Sequence, residues 1–87
     1  MQIFIKLPEP YCKTFVFEID LNSTFQELKN MINERTCYKD IQYYLISGTG
    51  LINEQYDNLT IREYNELFQK KKITDEYTVN LHIRHTQ

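Results

Sequence analysis

The 87-residue sequence has no tryptophan and only two cysteines, two glycines and two prolines. A small secreted domain normally carries four or more cysteines, so Cys12 and Cys37 do not amount to a disulfide framework. No apolar run approaches the roughly 18 residues that a membrane-spanning helix needs. The segment after Met1 lacks the basic start and long apolar stretch of a secretory signal. We therefore expect an intracellular, cytoplasmic protein that does not insert into a membrane.

An excess of charge of either sign is also missing. Ten Lys and Arg stand against twelve Asp and Glu, which gives a formal net charge of −2. Binding to nucleic acid is driven by clustered positive charge, so we expect no nucleic-acid partner. The composition, with 41% hydrophobic and 25% charged residues, is that of an ordinary globular protein. A chain this short has room for one core, so residues 1–87 are predicted to form a single domain.

Side chains suited to catalysis or metal binding do not have the spacing that such chemistry requires. His82 and His85 are three residues apart, and in an extended strand they would point to opposite faces. The adjacent acids Asp75 and Glu76 lie in a polar context that is typical of solvated surface. No Ser or Cys has a His and Asp set at a recognisable spacing. The chain is predicted not to be an enzyme and to bind no cofactor, metal or small-molecule substrate.

Period-two alternation of apolar and polar residues predicts several strands. Ile3 and Ile5 alternate with polar neighbours, and the later runs behave in the same way or are rich in Tyr, Leu and Ile. Gly48 and Gly50, which are the only glycines, indicate a tight turn where positive φ is needed. The predicted strands are Gln2–Lys6, residues 13–19, 41–47 and 78–84, and a short return at 51–52.

Apolar residues at three- and four-residue spacing predict two helices. The first covers about Phe25–Arg35, and the second runs from Ile61 to about residue 71. Each begins with a capping box, at Thr24 and at Thr60. The prediction is an α+β fold with a mixed sheet of four to five strands, one main helix crossing it, and an extended second helix before the last strand.

Several segments of the sequence carry a family resemblance, beginning with the opening letters MQIFIK and residues 13–19. These two segments are similar to the first and second strands of the ubiquitin-like family. Residues 40–48 with Leu51 resemble its third strand and glycine turn, residues 62–65 its short helix, and residues 78–84 its last strand. The resemblance spans nearly the whole chain and implies a β-grasp fold.

The end of the sequence differs from that family. Its conjugated members end in Gly-Gly, whereas this sequence ends in His85, Thr86 and Gln87. If it is the whole mature chain, the resemblance implies a non-conjugated module for protein–protein interaction, a small structural or adaptor subunit that binds protein partners in a multi-subunit complex. One alternative is a ubiquitin-like modifier whose Gly-Gly tail is absent from this chain. Another is a β-grasp domain that binds a small GTPase through its second strand, for which the chain offers few basic residues.

The resemblance also implies a recognition surface. It places Leu45 at the centre, Tyr43 beside it, and Asn80 and His82 on the rim, with a lengthened hairpin loop carrying Leu7, Tyr11 and Cys12 nearby. Strand parity is expected to put Phe4, Val16, Tyr43 and Leu45 outside and Phe15, Phe17 and Tyr44 in the core. Leu45→Asp should then leave the fold intact and abolish binding.

The extension of the second helix has no counterpart in the family. Its large apolar residues Leu67 and Phe68 are expected to pack on the chain's own core or to contact a partner. The complete set of candidate protein-binding residues is Phe4, Val16, Tyr43, Leu45, Asn80, His82, Arg84, Leu67 and Phe68.

Overall fold

The computed structural model describes residues 1–8, 13–36, 38, 40–48, 50–68 and 72–84. Its strands form one mixed sheet in the order β2-β1-β5-β3-β4, in which β1 and β5 are parallel and the other neighbours antiparallel. The elements in chain order are β1 (Gln2–Lys6), β2 (Thr14–Glu18), α1 (Phe25–Arg35), β3 (Tyr43–Ser47), β4 (Gly50–Ile52), a 3-10 turn (Glu54–Tyr56), α2 (Ile61–Leu67) and β5 (Tyr77–Ile83). The predicted α+β architecture is confirmed, with five strands and two helices among the described residues.

The second helix is shorter than predicted. It ends at Leu67, because Phe68 leaves helical geometry with φ −120° and ψ 72°. The remainder of the predicted helix, residues 69–71, lies outside the described residues, as do Tyr11, Cys12, Cys37 and His85. Of the two glycines, Gly48 has the positive φ expected of the turn (61°), whereas Gly50 pairs with Ser47 in the sheet.

The two helices begin side by side, and each helps to cap the other. The Thr24 hydroxyl accepts from the Glu27 amide at 3.1 Å, and α2 has a full capping box between Thr60 and Glu63. Further amides in the first turns, which have no partner inside their own helix, donate to carbonyls that precede the other helix. These pairs are Phe25–Leu59, Gln26–Asp57, Ile61–Ser23 and Arg62–Leu21, at 2.9 to 3.2 Å.

Both helices pack on one side of the sheet, which we call the inner face. Their buried residues meet alternate residues of the strands, and this arrangement removes apolar surface from water. The buried apolar core consists of Ile3, Ile5, Leu7, Phe17, Ile19, Phe25, Leu28, Ile32, Tyr38, Leu45, Ile52, Ile61, Tyr64, Ile73, Val79 and Leu81.

One side chain holds the long connection between α2 and β5. The Asn65 amide nitrogen donates to the Ile73 carbonyl at 2.9 Å, and its oxygen accepts from the Ile73 amide at 2.8 Å. Ile73 is 1% exposed, so its backbone groups have little access to water. The side-chain amide thus replaces a backbone partner and allows Ile73 to enter the core.

We expect Asn65→Ala to destabilise the fold by about 2–3 kcal/mol, because it leaves two poorly hydrated backbone groups of Ile73 without partners. Urea denaturation of the variant measures this loss. Asn58→Ala, at an exposed asparagine, is the matched control and should change stability by less than about 0.5 kcal/mol. Equal stabilities for the two variants would contradict the role given to Asn65.

A strained turn precedes β5. Glu76 has φ 62°, and it is the only non-glycine residue with positive φ among the described residues. The Tyr77 amide donates to the Thr74 carbonyl at 3.1 Å, and the Glu76 amide donates to the Gln2 carbonyl at 2.7 Å. The left-handed conformation costs an L-residue about 1–2 kcal/mol, and these bonds hold it in place.

Glu76→Gly should therefore stabilise the protein by about 0.5–1 kcal/mol, since relief of the strain exceeds the extra flexibility of the unfolded glycine chain. The expected result is a higher urea midpoint with an unchanged slope. Glu76→Ala removes the same carboxylate but keeps Cβ, so it should give no comparable gain. Stabilisation by alanine that equals that by glycine would show that charge, not backbone strain, is responsible.

Candidate functional site: the outer face of the sheet

The side of the sheet opposite the helices is the candidate site, and we call it the outer face. Its residues alternate along each strand with the core residues of the inner face. In the described part of the chain, both helices lie on the inner face. The outer face comprises Gln2, Phe4, Lys6, Thr14, Val16, Glu18, Tyr44, Ile46, Leu51, Thr78, Asn80 and His82.

The structure corrects the expected orientation of β3. Leu45, the predicted centre of the recognition surface, is 0% exposed and lies between Ile52 of β4 and Leu81 of β5 in the inner layer. Tyr43 also faces inward, where its hydroxyl donates to the Asn33 side-chain oxygen at 2.8 Å. Leu45→Asp would place a carboxylate in the core, so it is now expected to unfold the protein rather than leave the fold intact.

The reason for the error is a shift of one residue. Because side chains in a strand alternate with period two, a shift of one position exchanges the two faces. Alignment of Gly48 with the glycine turn of the ubiquitin-like family predicts that Leu45 lies on the exposed face of β3. In the structure, Ile46 lies on that face instead. Tyr44, which was expected in the core, is on the outer face as well. An uninterrupted apolar run from Tyr43 to Ile46 offers no polar residue from which parity could be read.

Large apolar side chains are concentrated on the outer face. Val16 is 44% exposed and Leu51 51% exposed, whereas Phe4, Tyr44 and Ile46 are half-buried. Phe4 is paired with Val16 at one side of the sheet, and Ile46 is paired with Leu51 at the other. Polar residues of β5 lie between these two apolar pairs, so the outer face has both apolar and polar surface.

One end of the outer face is basic. The His82 ring stacks on the Tyr44 ring with centroids 5.6 Å apart, and the Arg84 guanidinium lies 6.0 Å from the same Tyr44 centroid. Arg84 also forms an ion pair with Glu54 at 2.9 Å. Lys6 is exposed on β1 and is paired with Asn80 in the register of β1 with β5. Because Arg84 is paired with Glu54, this end presents hydrogen-bond donors and the positive charge of Lys6 beside the half-buried Tyr44 ring.

The remaining candidate residues do not lie together on the outer face. Leu67 on α2 is 63% exposed, but it lies away from the outer face. Phe68 packs on the core, with its ring centroid 4.8 Å from that of Tyr64. Leu7, expected in the hairpin loop near the recognition surface, is 6% exposed and belongs to the core. Sequence reasoning thus placed Phe4, Val16, Asn80 and His82 correctly on one face but missed Tyr44, Ile46 and Leu51.

Among the residues that the structure describes, no group of three or more His, Cys, Asp or Glu side chains could hold a metal ion. No helix there is long and apolar enough to cross a membrane.

No family model fits the sequence, and no curated protein is significantly similar to it.

Behind β3, Tyr43 lines an open recess of about 310 Å³ together with Lys29 and Arg84. The Lys29 ammonium is paired with the Asp57 carboxylate at 2.7 Å. Burial raises the pKa of Tyr43 to about 12, and the negative charge of Asp57 adds to the shift. The neutral hydroxyl is therefore the form that the folded chain favours.

A pH dependence follows from this pKa. The stabilisation that Tyr43 provides should be complete below pH 10 and should decline as pH rises from 10 towards 12, since the unfolded tyrosine ionises first. Tyr43→Phe should consequently lose less stability over this range than the wild type. Asp57→Asn should lower the pKa of Tyr43, measured by ultraviolet titration of phenolate, while leaving it above 10 because burial remains. A Tyr43 pKa near 10 in the wild type would contradict the buried environment.

Proposed function

We propose that the chain is a β-grasp, ubiquitin-like module for protein–protein interaction that is not itself conjugated, and that it binds its partner through the outer face. Its role is that of a small structural or adaptor subunit of a larger assembly. The support is the residue resemblance together with the strand order and the packing of both helices on one face of a five-stranded sheet.

The observation that carries the proposal is the exposure of Val16 and Leu51 on the outer face, beside the half-buried Phe4, Tyr44 and Ile46. A single exposed apolar residue on a surface is ordinary. Five large ones on one sheet face, including two aromatic rings, have the composition of an interface centre. Binding would bury this area and displace its water.

The charge distribution indicates the chemistry of the partner. Lys6 and Arg84 lie towards one end of the outer face, and because Arg84 is paired with Glu54, Lys6 supplies the positive charge there. A partner with an apolar centre and a carboxylate opposite Lys6 would match the face in both polarity and charge. Such pairs at a rim act mainly on the association rate, so binding should weaken moderately with added salt.

The small-GTPase alternative requires a free β2 edge. In the structure, the Arg35 guanidinium donates to the Val16 carbonyl at that edge. An incoming strand would have to displace this contact, so the geometry favours the outer face over the edge. The modifier alternative depends on residues beyond Gln87 and stays a prediction.

The decisive variant is Leu51→Asp. It puts a carboxylate at an exposed apolar position of the outer face, and it should reduce capture of the native partner by at least about tenfold, the equivalent of 1.4 kcal/mol. The measurement is affinity capture from the native source with wild-type and variant baits, read by quantitative mass spectrometry. Circular dichroism should show an unchanged fold.

Leu67→Asp is the matched control. It makes the same chemical change at a leucine that is somewhat more exposed, on α2 rather than on the sheet. Partners retained by Leu67→Asp and lost by Leu51→Asp would support the outer face. The reverse pattern would move the interface to α2. Recovery of the chain covalently attached to a lysine of another protein would overturn the non-conjugated assignment.

A further inference from the structure

The sheet has two edge strands, β2 and β4, and they differ in their capacity to pair with another strand. β4 has three residues, whereas β2 has five, Thr14–Glu18, with the sequence TFVFE. β2 contains neither proline nor glycine, and two aromatics and a valine give it high strand propensity. Natural proteins protect an edge of this kind, because its unpaired backbone groups template pairing with a further chain.

The register identifies the groups at the open edge of β2. The Leu7 amide donates to the Lys13 carbonyl and the Ile19 amide donates to the Met1 carbonyl, so odd-numbered residues of this segment direct their backbone groups at β1. In an antiparallel pair these groups alternate along the strand. The amides and carbonyls of Thr14, Val16 and Glu18 therefore point away from the sheet.

Arg35, the last residue of α1, covers the middle of this edge. Its guanidinium donates to the Val16 carbonyl, and its central carbon lies 4.6 Å from the Phe17 ring centroid and 5.2 Å from that of Phe15. The cation lies over two aromatic rings and engages the central carbonyl of the edge, so an added strand could not bond to that acceptor without displacing it.

We propose that Arg35 closes the β2 edge against a second copy of this chain, and that loss of its guanidinium produces a two-fold dimer joined by antiparallel β2 strands. The inference does not depend on the proposed docking function, since it concerns the backbone groups at the β2 edge, whereas docking concerns the side chains of the outer face, including that of Val16.

The β2 sequence is complementary to itself in this arrangement. With the two-fold axis at Val16, the Val16 amide and carbonyl of each copy pair with those of the other. Thr14 then lies opposite Glu18, so no like charges face each other across the new ladder. Because the symmetry closes after two copies, the product is a dimer with a continuous ten-stranded sheet rather than a filament.

The test is the solution mass of Arg35→Ala at micromolar concentrations, by size exclusion with multi-angle light scattering. The wild type should have the mass of one chain, 10.6 kDa, and the variant twice that. Arg35→Met, which keeps an apolar stem over the rings but has no donor, should also dimerise. Arg62→Ala, which removes the same charge from α2, should stay monomeric.

A second substitution identifies the edge itself. Adding Val16→Lys to Arg35→Ala should restore the monomer, because the two lysines would face each other at the axis. Val16→Thr should leave the dimer intact. Slower hydrogen exchange at the Val16 and Glu18 amides should accompany dimer formation. A folded Arg35→Ala that remains monomeric at every concentration would overturn the proposal, as would association that Val16→Lys does not reverse, or pairing only with extended segments of other proteins.

Discussion

The pairing of β3 with β5 is the constraint on which the core and the candidate site both depend. Leu45 lies opposite Leu81 and Ser47 opposite Val79 in the inner layer, and all four residues are buried. Their positions leave the alternate residues of β3 on the outer face. A shift of one residue in this register would bury a different half of the strand. The chain therefore cannot change its candidate recognition surface without also rebuilding its core.

Two sets of contacts hold both helices on the inner face, and the outer face is left uncovered by them. Their first amides are bonded to the segment that precedes the other helix, and the Lys29–Asp57 ion pair links α1 to the same region at 2.7 Å. With side chains 12% and 20% exposed, this pair is less screened than a surface one. Removal of either partner would leave a poorly hydrated charge, which is more costly than loss of an exposed pair. Both helices are thus held on the inner face.

Local signals were sufficient where polar and apolar residues alternate or where a cap is present. Gln2–Lys6 and Phe25–Arg35 have the predicted bounds, because Ile3 and Ile5 alternate with polar neighbours and Thr24 caps the helix. Local signals did not predict the orientation of β3, because its run of apolar residues has no polar residue that would distinguish the two faces of the strand. They also failed at the end of α2, where Asn65 engages the backbone of Ile73 eight residues later. A contact between a helix and a distant backbone has no local pattern, so the sequence alone predicts a helix that continues to about residue 71.

Hydroxyl-radical footprinting of the chain in its native assembly measures whether a partner covers the outer face. Oxidation rates of aromatic and aliphatic side chains report the solvent exposure of each one, in the free chain and in the complex. If the partner binds the outer face, Phe4, Tyr44 and Leu51 should be protected from oxidation on assembly. Leu67 should be as reactive as in the free chain. Unchanged oxidation of the three outer-face residues together with protection of Leu67 would contradict binding through the outer face.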